Sequence, residues 1–87
     1  MRKTRPCLVV SPDETHLSLR TVIVAPMTTA GRAAGFRVPI RFQGKAGLVV
    51  LDQIRALDKT RLIKRLGKAP SNALGAVLET LQEMFAP

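Results

Sequence analysis

The sequence predicts an α+β domain that is mainly β, a small antiparallel barrel or curled sheet with a C-terminal helix. Short apolar runs rich in β-branched residues are separated by Pro- and Gly-containing turns, which is typical of strands. Apolar residues recur at three- and four-residue spacing only after Pro70, which indicates one amphipathic helix. Helix and strand patterns do not alternate, so a parallel α/β sheet is not expected. At 87 residues, the sequence predicts one domain over residues 1–87.

Four segments have the character of strands, at residues 7–10, 21–27, 37–42 and 48–51. Pro26 is expected to end the second strand or to mark a bulge, because proline cannot donate a ladder hydrogen bond. Polar and apolar residues alternate over 37–42, which predicts an edge strand whose Val38, Ile40 and Phe42 face the core. The continuous apolar run at 48–51 predicts a central strand covered on both faces.

The remaining elements are less strongly patterned. Gly44 and Gly47 are expected to bracket a turn before the fourth strand, and a fifth strand is predicted over 61–66, ending at Gly67. Ser71 is the predicted N-cap of the final helix. The apolar stripe of that helix is expected in the core and consists of Leu74, Val77, Leu78, Leu81, Met84 and Phe85.

The charge of the chain predicts a polyanionic partner. Fourteen Lys and Arg against six Asp and Glu give a net charge of +8, and no acidic residue lies between Glu14 and Asp52. Such a positive field attracts nucleic acid by counterion release, although a merely soluble basic surface is the alternative. The chain has no Trp or Tyr and three Phe, so bound RNA is expected to be held through phosphates rather than by base stacking.

Cysteine content and hydropathy favour a cytoplasmic protein without membrane contact. The single Cys7 cannot form an internal disulfide, and the apolar runs are far shorter than the roughly 20 residues of a membrane span. Cys7 and His16 have no second soft ligand or orienting partner in sequence. Both are therefore interpreted as structural, and no metal or cofactor is expected.

Three positions are candidates for chemistry. Arg5 precedes a proline, which keeps it extended, and its guanidinium suits a phosphoryl group that gains charge in a transition state. Thr28 and Thr29 stand where a strand ends, and a hydroxyl there can donate to a phosphate oxygen. Asp52 follows a buried strand as a candidate general base. The structural alternatives are a solvated Arg5, an ordinary threonine pair, and an Asp52 that pairs with Arg55 or caps a turn.

Several segments, in this order and spacing, resemble the MazF/PemK family of toxin endoribonucleases. They are residues 5–12 (RPCLVVSP), 24–29 (VAPMTT), 38–40 (VPI) and 51–55 (LDQIR), continued by 58–62, 65–67 and the final helix. The resemblance implies a dimeric, metal-free endoribonuclease on an SH3-like barrel of the CcdB/PemK type. It would cut single-stranded RNA by attack of a ribose 2′-hydroxyl on its own phosphate, and a cognate antitoxin with an acidic tail would inhibit it.

The resemblance also implies roles for individual residues. Arg5 would stabilise or protonate the scissile phosphate, Thr28 would belong to the same site, and Asp52 would take part in acid–base work. Some members have an arginine two residues before that aspartate, where this chain has Val50, so their acid–base pairing does not transfer. The residues expected to contact RNA are Thr29, Arg32, Arg37, Gln53 and Arg55.

The beginning of the chain departs from the family pattern. Members usually have a further strand ahead of the Arg-Pro pair, whereas this sequence opens with Met1 just before it. A barrel without its first strand is therefore expected, through a late start assignment or a truncated reading frame. Two other functions stay open: a catalytically inactive RNA- or antitoxin-binding module, and a gyrase-inhibiting toxin on the same barrel, against which the Arg-Pro and Thr-Thr segments argue.

Overall fold

The computed structural model describes residues 5–12, 19–32 and 35–87. Its strands are β1 (Cys7–Val9), β2 (Thr21–Thr28), β3 (Arg37–Phe42), β4 (Lys45–Val50) and β5 (Arg55–Asp58). Two 3₁₀ turns, Leu51–Gln53 and Lys59–Arg61, flank β5, and helix α1 (Ser71–Met84) follows. The predicted fold class, a mainly antiparallel curled sheet with one C-terminal helix, is confirmed.

The long strand β2 organises the sheet. One edge of β2 pairs with β1, while the other edge pairs first with β5 and then, at Met27 and Thr28, with β4. The path β1-β2-β4-β3 places β4 between two neighbours and β3 at the edge, as the sequence predicts. Because β2 belongs to both halves of the sheet, the sheet curls into a half-barrel.

Pro26 lies inside β2 and does not end it. The N–H of Met27 donates to the carbonyl of Pro6 on the β1 side, at 3.1 Å. Successive N–H groups of a strand face opposite edges, so the nitrogen of Pro26 faces the other edge. On that edge β2 pairs with β5 up to Val24 and with β4 from Met27. Pro26 lies between the two pairings, where no N–H of β2 has to donate to a neighbouring strand. Proline is therefore tolerated at this point.

The core lies between the sheet and α1. Its largest fully buried side chains are Val24, Val49, Leu51 and Val77, one each from β2, β4, the first 3₁₀ turn and α1. Val38 and Ile40 are buried as predicted, but Phe42 is only half-buried because it stands at the last position of an edge strand.

The predicted fifth strand over 61–66 is wrong. Residue 61 ends the second 3₁₀ turn, residues 62–66 are irregular, and Ile63 is 80% exposed. The strand forms instead at Arg55–Asp58, which pairs with residues 21–24 of β2. Long-range pairing with an available edge outweighs the stronger apolar pattern of the later segment.

The turn between β3 and β4 is shorter than predicted. Gln43 and Gly44 both have positive φ, 53° and 75°, as a two-residue hairpin turn of the right twist requires. Gly47 lies inside β4 and does not bracket the turn.

The predicted N-cap of α1 is also wrong, and its apolar stripe is only partly covered. The helix begins at Ser71 and its N-cap is Pro70, without a side-chain capping bond. Ala73 and Val77 are buried, whereas Leu74 and Leu78 are partly exposed and Phe85, after the helix ends, is 71% exposed. No helix in the described ranges is both long and apolar enough to cross a bilayer.

Candidate active site

A cleft of about 260 Å³ lies where the chain enters β1 and where β2 and β4 end. Its polar lining comes from four side chains on separate segments: Arg5, Thr28, Arg37 and Gln53. Met27 and Val50 supply apolar wall. Two guanidinium groups, one hydroxyl and one amide therefore face a single concave surface, which is a composition suited to an anionic ligand.

Strand register brings Arg5 and Thr28 together. Cys7 pairs with Pro26 in the antiparallel β1–β2 ladder, and the Pro6–Met27 hydrogen bond continues the pairing. One further step along the register places Arg5 opposite Thr28. Their approach is thus fixed by main-chain bonds and does not depend on the side chains themselves.

The hydroxyl of Thr28 is oriented by the turn that follows β2. Its Oγ1 accepts a hydrogen bond from the N–H of Ala30 at 3.1 Å, which leaves the hydroxyl proton available to donate. Gly47 of β4 lies directly against the same residue, because a Cβ built on Gly47 would stand 2.7 Å from the Thr28 carbonyl oxygen. A glycine at this point permits β4 to support the end of β2 closely.

Arg37 is held between an acid and a glycine. Its Nε lies 3.6 Å from Oδ1 of Asp52, in an ion pair whose side chains are 36% and 44% exposed. Gly31, with φ of +96°, borders the other end of the guanidinium: a Cβ built on it would be 3.4 Å from Nη1. Gly31 lines the cleft as Arg37 does, whereas Asp52 is not among the lining residues.

The structure thus gathers four of the eight predicted site residues. Arg5, Thr28, Arg37 and Gln53 share the cleft, and Asp52 borders it through Arg37. The other three predicted residues are exposed and lie outside the lining: Thr29, Arg32 and Arg55. Asp52 forms its ion pair with Arg37 and not with Arg55, the partner considered from the sequence.

Two other sequence interpretations concern residues away from the cleft lining. Cys7 is half-buried with its Sγ 3.8 Å from the Arg5 carbonyl, and His16 lies outside the described residues. Sequence reasoning missed Ala30 and Gly31, which line the cleft from the loop after β2. The only signal for them is the glycine itself, whose positive φ shapes that loop.

A curled antiparallel sheet with one C-terminal helix, and a cleft at its strand ends lined by two arginines, defines a small, mainly β protein with a cationic site. The sequence matches the family described as "PemK-like, MazF-like toxin of type II toxin-antitoxin system" over residues 1–85. The chain therefore belongs to this toxin family. Among curated proteins it is 38% identical over 88 residues to "Endoribonuclease PemK" of Escherichia coli, covering 94% of this chain and 66% of that relative.

Solved structures of two organisms share the fold. The Mycobacterium tuberculosis toxin MazF-mt6 superposes with a TM-score of 0.81 at 24% identity, over 93% of this chain and 85% of that one. A MazE-MazF structure from Deinococcus radiodurans gives a TM-score of 0.81 at 28% identity, over 94% of this chain and 81% of that one. The first likeness supports the fold alone, and the second also relates the chain to a toxin solved with MazE.

Proposed function

We propose that this chain is the toxin of a type II toxin–antitoxin system and acts as a metal-independent endoribonuclease on single-stranded RNA. The observation that carries the proposal is that Arg5 and Thr28 line one cleft, next to the Pro6–Met27 hydrogen bond that extends the β1–β2 pairing. The family match and the similarity to Endoribonuclease PemK support this activity over gyrase inhibition.

The reaction that this cleft suits is an internal transesterification. The ribose 2′-hydroxyl gives up its proton and attacks its own 3′-phosphate, and a 2′,3′-cyclic phosphate forms. The bond to the next nucleotide's 5′-oxygen breaks, and that oxygen takes up a proton to leave as a 5′-hydroxyl. Charge grows on the non-bridging oxygens in the transition state. Arg5 would bind those oxygens through its planar fork, and the Thr28 hydroxyl would donate to one of them.

Substrate binding is assigned to the neighbouring polar groups. Arg37 would hold an adjacent phosphate, and Gln53, whose amide both donates and accepts, could contact a base edge. Thr29, Arg32 and Arg55 are proposed as outer contacts beyond the cleft. With a net charge of +8, affinity for RNA should fall steeply as salt rises.

An antitoxin is the second proposed partner, because MazE-MazF structures are among those similar to this chain. An acidic tail on that antitoxin would complement the positive charge of this chain. We also propose a homodimer in the cytoplasm. A chain of 87 residues buries a smaller fraction of its surface than a larger domain does, so a partner subunit is a natural source of further stability.

The direct test is incubation of the purified chain with a long single-stranded RNA in EDTA. We expect cuts at a limited set of sequences, each leaving a cyclic phosphate and a 5′-hydroxyl, and much slower cutting by Arg5→Ala. An Arg65→Ala variant, which removes an exposed arginine outside the cleft, is the matched control and should cut normally.

The same preparation separates the other functions. Binding of RNA without any cutting would favour the inactive binding module, and inhibition of gyrase in a supercoiling assay would favour the gyrase-directed toxin. Cutting by Arg5→Ala at the parent rate would contradict the proposed site.

A further inference from the structure

The carboxylate of Asp52 is placed to act on Arg37 rather than on the scissile bond. It lies 3.6 Å from Nε of Arg37 and is not among the residues that line the cleft. The residue two positions before it, Val50, is buried and apolar, so it cannot share a proton with Asp52. The guanidinium is the charged group that the structure sets beside this carboxylate.

Arg37 itself extends from this carboxylate to the cleft. Oδ1 of Asp52 lies 3.6 Å from its Nε, an ion-pair contact longer than a hydrogen bond, while its Nη1 lies against Gly31, a lining residue. A guanidinium has five N–H donors in a rigid plane, so a negative charge beside Nε favours one direction for the outer nitrogens. Within residues 5–12, 19–32 and 35–87, no hydrogen bond to those nitrogens is formed, so they can bind a phosphate oxygen from the cleft side.

We propose that Asp52 is a positioning residue that orients the Arg37 guanidinium toward an RNA phosphate, and that Arg37 contacts the substrate. This inference rests on the proposed RNA-cleaving function. It assigns Asp52 a different role from the acid–base work that the family resemblance implies. Because both side chains are more than a third exposed, the pair supplies a modest preference in orientation and not a strong bond.

Charge alone predicts the opposite effect of removing this carboxylate. Asp52→Asn removes one negative charge and so raises the net charge of a chain that already carries +8. A more positive protein should bind RNA more tightly. A positioning role predicts weaker binding, because the freed guanidinium must be ordered by the substrate. The sign of the change therefore distinguishes the two effects. Glu79→Gln, an exposed acid on α1, makes the same change in charge away from the cleft and serves as the control.

The test is a double-mutant cycle on a short single-stranded RNA, with kcat and KM measured for Asp52→Asn, Arg37→Ala and the double variant. We expect Asp52→Asn to raise KM about threefold and Arg37→Ala about tenfold, with kcat nearly unchanged. The double variant should match Arg37→Ala, because Asp52 has no effect without its partner. The pH profile of kcat/KM should keep its shape in Asp52→Asn.

Other outcomes overturn the inference. A fall in kcat of about 100-fold in Asp52→Asn, with loss of the acidic limb of the pH profile, would make Asp52 a general base. If the KM of the double variant rises by the product of the two single-variant factors, the residues act independently. Tighter RNA binding in Asp52→Asn, to the same degree as in Glu79→Gln, would leave only a charge effect.

A binding measurement separates this inference from the proposed nuclease activity. The probe is a 2′-O-methyl oligonucleotide of the same sequence, which cannot undergo 2′-hydroxyl attack. If the parent binds it but cuts no RNA, the nuclease proposal fails. The positioning inference then depends on two comparisons. It requires that Asp52→Asn bind the oligonucleotide more weakly than the parent, and that the double variant bind it as tightly as Arg37→Ala. If the parent neither binds the oligonucleotide nor cuts RNA, both proposals are overturned.

Discussion

The main-chain carbonyl of Pro6 accepts a hydrogen bond from the N–H of Met27 at 3.1 Å, and the next residues outward, Arg5 and Thr28, line the same cleft. Their meeting is therefore a property of the β1–β2 register. Either side chain can be changed while the bond that places its backbone remains. Variants at these two positions consequently test chemistry more than folding.

Arg5→Ala should strongly slow cleavage while leaving the fold intact. The side chain is exposed, so its removal should change the free energy of unfolding by no more than about 0.5 kcal/mol. Loss of a group that binds the developing charge should slow cleavage by about 100- to 1,000-fold. Initial cleavage rates and thermal unfolding of the same preparations check both statements. Cleavage at the parent rate would remove Arg5 from the mechanism.

Thr28→Val and Thr28→Ser separate the hydroxyl from the shape of the side chain. Valine keeps the branched volume but can neither accept from Ala30 N–H nor donate to phosphate. We expect cleavage about 10- to 100-fold slower for valine, as for loss of a hydrogen bond to a charged group. Serine keeps the hydroxyl and should stay within a few-fold of the parent. Equal activity of the two variants would contradict a role for the hydroxyl.

Asp58 should make part of the stability depend on pH. Its Oδ1 accepts bonds from the Thr60 N–H and hydroxyl, both 2.9 Å, and the N–H above all holds the pKa of Asp58 below its ordinary value. A lowered folded pKa stabilises the protein above the unfolded value of about 3.9, and this contribution disappears as the pH falls through the folded value. Asp58→Asn should therefore lower the Tm at neutral pH, with the difference shrinking below about pH 4. A difference in Tm that stays constant into acid would contradict this origin.

The sequence predicts those elements whose signal is local. The β-branched run of β2, the alternation of β3 and the apolar run of β4 each carry their own pattern, and each forms a strand. Strand β5 carries no such pattern: Arg55–Asp58 has one partly buried apolar position and forms because the first half of β2 offers an edge. The apolar residues of 61–66 look more like a strand, but they pair with no strand in the described part of the chain.

In the site too, some residues have a local signal in the sequence and others are brought together only by long-range pairing. An extended Arg5 before Pro6 and a threonine at the end of a strand are visible in sequence, and the family resemblance implies that they share one site. The ion pair between Arg37 and Asp52 is not visible, because the local partner in sequence is Arg55. It arises from the β3–β4 register, which pairs Arg37 with Val50, two residues before Asp52. A long-range register and a 3₁₀ turn decide this contact.

Gly47→Ala should disturb the active site through the backbone. Its Cβ would stand 2.7 Å from the Thr28 carbonyl oxygen, so β2 and β4 must separate where Thr28 enters the cleft. We expect a loss of about 1–3 kcal/mol in the free energy of unfolding, measured in urea, together with slower cleavage. Gly75→Ala is the control: nothing lies within 4 Å of its Cβ, and helix propensity should stabilise α1 by up to about 1 kcal/mol without changing cleavage. If Gly47→Ala matched the parent in both measurements, close β2–β4 packing would not be what positions Thr28.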